Sequence, residues 1–191
     1  MASTDNTLAR TLHDVGLAAW FGGSLMGAAG LNGAAAVVDE PAQRLRVANN
    51  GWTRWTPLNL AGITAHLAGS AVLTGANKGR LASQQGVAAA SAVKAALTVA
   101  ALGTTAYARL LGNKLGRAGD TPVEGGTTPA ATTPDEVARS QRQLTALQWA
   151  IPAPTGVVLV VNARMGEQQR PTQVTRGLVR RLLPGRWLAA H

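Results

Sequence analysis

The sequence predicts an all-α protein, a polytopic membrane bundle of four transmembrane helices plus a C-terminal amphipathic helix. The 191-residue chain has four nearly charge-free runs, and a helix of about 20 apolar residues crosses the ~30 Å hydrocarbon core of a bilayer. Charged residues make up 14% of the chain, against roughly 25% in a typical soluble domain. Ala, Leu, Val and 22 Gly supply the bulk, a composition that suits closely packed membrane helices.

The first three spans are predicted within residues 1–117, at about 15–38, 57–77 and 86–108. Thr56 and Pro57 have the residue types of a helix cap and a first helical residue, so the second helix is expected to begin there. A soluble Ala-rich bundle would show a charged face at every third or fourth residue, and these runs show none. The first run is also too long for the apolar stretch of a signal peptide.

Residues 118–134 are rich in Pro, Gly and Thr, and they predict a flexible linker. The fourth helix is expected over 135–165, because Pro134 precedes two acidic residues that favour a helix start. Its membrane part is predicted at about 143–163, and residues 166–191 form a basic amphipathic tail.

An even number of spans places both termini on one side of the membrane. Lys and Arg are nearly balanced between the two sides, but the short loop after the second span and the tail are basic. The positive-inside rule therefore favours a multi-pass protein of the cytoplasmic membrane with cytoplasmic termini.

A stripe of small residues follows one face of the first helix. It contains Gly16, Gly23, Gly27 and Gly30, and Gly23 to Gly27 forms a GxxxG motif. Small residues let helix backbones approach closely in lipid, so this stripe is predicted to be a helix-packing face. It could contact another helix of the same chain or a second copy.

Four polar residues predict an interior site near the middle of the bilayer: Asn59, His66, Lys94 and Thr155. Asn59 and His66 share one face of the second helix, and Lys94 falls at a similar depth on the third. An ionisable residue inside a membrane is costly and is a functional hypothesis by default. Each feature also has a purely structural alternative. His66 could be neutral and bonded to a helix carbonyl, Lys94 could lie nearer the surface, and Pro152 and Pro154 could only kink the fourth helix.

The tail combines a row of Val and Leu with arginines and a tryptophan. Its candidate membrane-surface contacts are Arg176, Arg180, Arg181 and Trp187. Such a segment suits an anionic lipid surface, and a disordered basic tail is the alternative.

No cofactor is predicted from the sequence. The chain has no cysteine, which excludes disulfides and Cys-based metal sites, and it carries no recognisable catalytic motif, so no enzymatic activity can be argued. His13 is expected about 15 Å from His66 in depth, which disfavours a haem held by two histidines. The net charge of +9 lies in loops and tail without interleaved aromatic residues, so nucleic acid is not expected as a partner.

The stretches AWFGGSLMG and RWTPLNLAG resemble the uncharacterised four-span integral membrane proteins of actinobacteria. The resemblance covers about the first 110 residues. It implies a four-span fold and transfers no functional motif.

Three functional hypotheses follow. The first is a non-enzymatic accessory or scaffold subunit of a membrane complex, with the lipid bilayer and a membrane-protein partner or a second copy as its contacts. The second is a protein that binds or transports a small anionic solute at His66 and Lys94. The third is a redox membrane protein with a quinone near His66.

Overall fold

The computed structural model describes residues 6–79 and 85–168, and within these ranges the chain is all-helical with no strand. The α-helices bounded within these ranges are α1 (Thr7–Met26), α2 (Asn32–Ala36), α3 (Pro41–Ala76), α4 (Gln85–Gly116), α5 (Asp135–Ala150) and α6 (Pro152–Gln168). A π-helical turn, Gly27–Leu31, joins α1 to α2. The all-α prediction is therefore confirmed.

Helix ends differ from the predicted spans. The first helix begins at Thr7 rather than near Val15, so Arg10 and His13 are helical. The second does not begin at Pro57. Helix α3 begins at Pro41, where proline occupies the first helical position, and it continues through Pro57. The hydroxyl of Thr56 bonds the Trp52 carbonyl 2.8 Å away within the same helix.

The fourth predicted helix is broken in its middle. It begins at Asp135, as predicted, with Asp135 and Glu136 in its first turn, and the break falls at Ile151, between α5 and α6. Proline has no N–H to continue the helical ladder, so Pro152 begins a new helix instead. Thr155 partly compensates for the lost helical hydrogen bonds, because its buried hydroxyl donates to the carbonyl of Ile151 at 2.8 Å.

The long helices form a bundle in which α1 and α3 make the most extensive contact. Its central cluster contains Leu17, Trp20, Ile63, Ala101, Ile151 and Val158. Trp20 is fully buried there and its indole N–H donates to Thr105 of α4 at 3.2 Å. This cluster closes the middle of the bundle and divides it into two ends.

Residues 118–134, predicted to be a flexible linker, contact the bundle at several points. Val123 is fully buried against Leu45 of α3 and Leu115 of α4. Gln141 of α5 donates to the Gly125 carbonyl at 2.9 Å. The segment covers the end of the bundle where α3 begins, a contact that needs residues distant in sequence and that composition alone does not reveal.

Two helical stretches of the described residues are long and apolar enough to cross a membrane, Gly86–Gly116 and Asp135–Gly166. Arg10 and Asp14 lower the hydropathy of α1, and Asn59 and His66 lower that of α3. The two apolar stretches are poorly covered by the rest of the protein. Only 6% of the most apolar part of the first is buried, and 22% of the second.

Candidate functional site

A cavity of about 380 Å³ opens at the end of the bundle where α1 begins and α6 ends. We call it the terminal-end cavity. Helices α1, α3, α4 and α6 form its wall, and its ionisable and amide-bearing side chains include Arg10, His13, Asp14, His66, Lys94 and Asn162. The predicted pair of His66 and Lys94 thus lines one cavity.

His13 and His66 face each other across the contact between α1 and α3. Their ring centroids are 4.5 Å apart, and the Nδ1 of His66 lies 3.0 Å from the carbonyl oxygen of His13. Because a carbonyl only accepts, this Nδ1 carries the proton. His13 Nδ1 lies 2.7 Å from the Asp14 carboxylate, which orients the second ring in the same way.

The expected 15 Å separation of the two histidines is wrong. It assumed that the first membrane helix begins at Val15, whereas α1 begins at Thr7 and runs antiparallel to the last turns of α3. The rings are tilted by 46° and are close to van der Waals contact. No porphyrin fits between them in this arrangement, so a haem held by both remains disfavoured for a different reason.

Lys94 lies partly buried on α4 and its ammonium donates to the Oδ1 of Asn162 on α6 at 2.9 Å. An ammonium only donates, so the amide turns its oxygen to Lys94. The Nδ2 of Asn162 is buried and has no hydrogen-bond partner within residues 6–79 and 85–168. Among residues 6–79 and 85–168, no carboxylate lies within ion-pairing distance of Lys94. The cavity wall therefore contains a cation, Lys94, that pairs with a neutral amide.

A second cavity, of about 360 Å³, lies at the opposite end, under residues 118–134. We call it the loop-end cavity. Asn59 lines this one and not the terminal-end cavity, so the four predicted interior residues do not form a single site. Leu102 of α4 lines both cavities and lies between them with the central cluster.

A polar network supports the loop-end cavity. Asn32 is buried, accepts a hydrogen bond from the indole of Trp52 at 3.0 Å and donates to the Oε1 of Gln148 at 2.8 Å. The three residues tie α2, α3 and α5 together. Thr155, the last predicted interior residue, lines neither cavity, and its hydroxyl serves the helix break described above.

Three of the four predicted packing glycines lie against α3. A side chain at Gly16 would overlap the backbone of Gly62 and His66, and one at Gly23 or Gly27 would overlap a tryptophan ring of α3. Gly30 meets only Met26 of its own helix. The stripe thus faces another helix of the same chain. Arg176, Arg180, Arg181 and Trp187 lie outside the described residues.

Sequence reasoning missed Asn162 and Trp55. Asn162 lies in an apolar run, as Asn59 does, and a search for every amide inside a predicted span would have found it. Trp55 lies just before the predicted span of residues 57–77, and its indole N–H needs a partner when it is buried. Comparison of this chain with protein-family models, with curated proteins and with solved structures finds no match to any of them.

Proposed function

We propose that this chain is a multi-pass membrane protein of four passes that binds a small organic anion in its terminal-end cavity. The four passes are α1 with α2, α3, α4, and α5 with α6. Support for them comes from the outer surface, where each pass exposes large apolar side chains, among them Leu25, Leu60, Val99 and Val157. A large exposed apolar surface on every helix is unfavourable in water and favourable in lipid.

The observation that carries the anion proposal is the pairing of Lys94 with a neutral amide. A cation inside a membrane protein is expected to meet an anion, and the Asn162 oxygen neutralises none of its charge. Arg10 and Asp14 also line the cavity, and the Asp14 carboxylate lies 2.7 Å from the Nδ1 of His13. A carboxylate ligand in the cavity would accept a charge-assisted hydrogen bond from the ammonium of Lys94.

Benzoate and its neutral analogue benzyl alcohol test the proposal on purified protein in detergent. Benzoate is expected to raise the melting temperature, because a ligand that binds only the folded state stabilises it. Lys94→Met keeps the length of the side chain and should abolish the rise. Lys114→Met removes an equal charge from an exposed residue outside both cavities and should leave the rise unchanged.

An equal response to benzoate in wild type and Lys94→Met would contradict anion binding at this cavity. So would an equal response of the wild-type protein to benzyl alcohol, because the neutral analogue cannot pair with the ammonium.

The accessory or scaffold role is the second candidate, and the exposure of α4 favours it. This helix exposes Val93, Val99, Tyr107 and Leu110, and its most apolar part is only 6% buried. Such a surface suits either lipid or a partner helix. Extraction in a mild detergent tests the role: a stoichiometric partner is expected, and a monodisperse protein without one would count against it.

A further inference from the structure

Two buried polar atoms on residues that line the loop-end cavity have no hydrogen-bond partner among the described residues. They are the indole Nε1 of Trp55 and the amide Oδ1 of Asn59, both on α3. Buried polar groups in folded proteins are nearly always hydrogen-bonded, so each unpartnered group needs an explanation.

The two atoms are complementary in chemistry, and their residues lie on one face of α3. The indole N–H is a donor only, and the amide oxygen is an acceptor only. Residues 55 and 59 are four apart on one helix, a spacing that places side chains on the same face with Cβ atoms about 5–6 Å apart. A single hydroxyl group between them can accept from Trp55 and donate to Asn59.

The orientation of the Trp55 ring is fixed by its surroundings. Its six-membered ring edge lies directly over Gly23 of α1, where any side chain would overlap it. The neighbouring Trp52 does not compete for the same ligand, because its N–H is already bonded to Asn32. Of these two indoles, only that of Trp55 has no acceptor among the described residues.

The rest of the loop-end cavity is mostly apolar. Leu60, Ile63, Leu102, Leu144 and Ile151 contribute to its wall. Its volume of about 360 Å³ falls within the range of roughly 300–1,000 Å³ that is usual for small-molecule sites. An apolar wall with a few placed polar groups is the common pattern of such sites.

We propose that the loop-end cavity binds an apolar molecule with a hydroxyl group, which bonds Trp55 and Asn59 together. Two membrane constituents have this chemistry, a diacylglycerol and a reduced quinone. The site is separate from the terminal-end cavity and does not depend on anion binding there.

Para-butylphenol and butylbenzene differ only in the hydroxyl group and test the proposal. Their affinities for the purified protein are measured by calorimetric titration in one detergent, and the ratio of the two affinities is compared between variants. Partition of each probe into micelles is the same for every variant, so it cancels in this comparison. The wild-type ratio should fall about tenfold in Trp55→Phe, the loss of one buried hydrogen bond.

Trp149→Phe is the matched control, because Trp149 is half exposed and lines neither cavity. It should keep the wild-type ratio. Asn59→Ala should lower the ratio as Trp55→Phe does, which guards against an effect of ring size alone. The same ratio in all four proteins, or no binding of either probe because the cavity holds only water, would overturn the proposal.

A competition experiment then distinguishes a diacylglycerol from a reduced quinone as the natural ligand. Dioctanoylglycerol and a short-chain reduced quinone are each added to the complex with para-butylphenol. Displacement by the first assigns the site to a lipid, and displacement by the second assigns it to a quinol. Failure of both to displace the phenol would contradict a membrane constituent as the natural ligand.

Discussion

The imidazole of His66 on α3 lies against that of His13 on α1, with ring centroids 4.5 Å apart, and His66 Nδ1 donates to the His13 carbonyl at 3.0 Å. This contact requires a very close approach of the two helices. Gly69 of α3 lies against the backbone of Ala9 and His13, and Gly16 of α1 lies against the backbone of Gly62. Glycines therefore place both histidines in the wall of the terminal-end cavity.

Gly16→Ala should destabilise the protein by about 1–3 kcal/mol, the usual cost of overfilling a well-packed contact. The added methyl would overlap backbone atoms of Gly62 and His66, which cannot rotate away. Gly22→Ala is the matched control, because the space around Gly22 is open and alanine favours the helix. Thermal unfolding in detergent checks both, and equal stability of the two variants would contradict the close approach.

Asn32→Leu should cost about 1–3 kcal/mol, because it leaves the indole N–H of Trp52 without an acceptor inside the protein. Asn50→Leu, at an exposed position of α3, should have little effect. A double-mutant cycle with Trp52→Phe measures the coupling. Additive effects of the two substitutions would show that the bond contributes nothing.

Local sequence information predicted the all-α class, the residues that share one face of the second helix and the start of α5. The charge-free runs predicted helices, and the helical period placed Asn59 and His66 on one face of the second helix. Gly62, His66 and Gly69, spaced i, i+4 and i+7, are buried along α3. The position of Asp135 at the start of α5 followed from its proline and acids.

Features that depend on distant residues were not predicted. The start of α1 was predicted too late, because the prediction followed the apolar run, whereas the helix also includes Arg10 and Asp14 before it. As a result, His13 was expected to lie far from His66. The contacts of Val123 and Gln141 were missed because turn-rich composition does not show what a segment covers. Asn59 was grouped with Lys94 through His66, which shares a helix face with Asn59 and was placed at a similar depth to Lys94. Asn59 and Lys94 line different cavities, on either side of the central cluster.

Thr155→Val should lower stability by about 1 kcal/mol and leave the benzoate response intact. The hydroxyl bonds the carbonyls of Ile151 and Pro152, and the residue lines neither cavity. Thr64→Val, at an exposed position of α3, is the control for the change of residue type. Melting temperatures with and without benzoate check the prediction. A lost benzoate response would contradict it and show that Thr155 contributes to the binding site.

Lys94→Met should raise the melting temperature of the protein without ligand, although it abolishes the response to benzoate. A partly buried ammonium is costly, and one hydrogen bond to a neutral amide does not compensate for its desolvation. Such a gain in stability with a loss of binding is typical of a binding residue. Lys94→Arg preserves the charge and should keep part of the benzoate response. A lower melting temperature for Lys94→Met would show that the Asn162 bond stabilises the bundle.

Cysteine accessibility tests the four-pass arrangement most directly, because the chain contains no cysteine of its own. Single cysteines are introduced at Asp39, Lys78 and Thr132, all exposed positions between the four proposed passes, and a membrane-impermeant maleimide is applied to intact cells. With four passes and cytoplasmic termini, Asp39→Cys and Thr132→Cys are labelled, and Lys78→Cys is labelled only after permeabilisation. If only α4 and the α5–α6 pair cross the membrane, Asp39→Cys behaves as Lys78→Cys does, and that result would contradict the four-pass bundle.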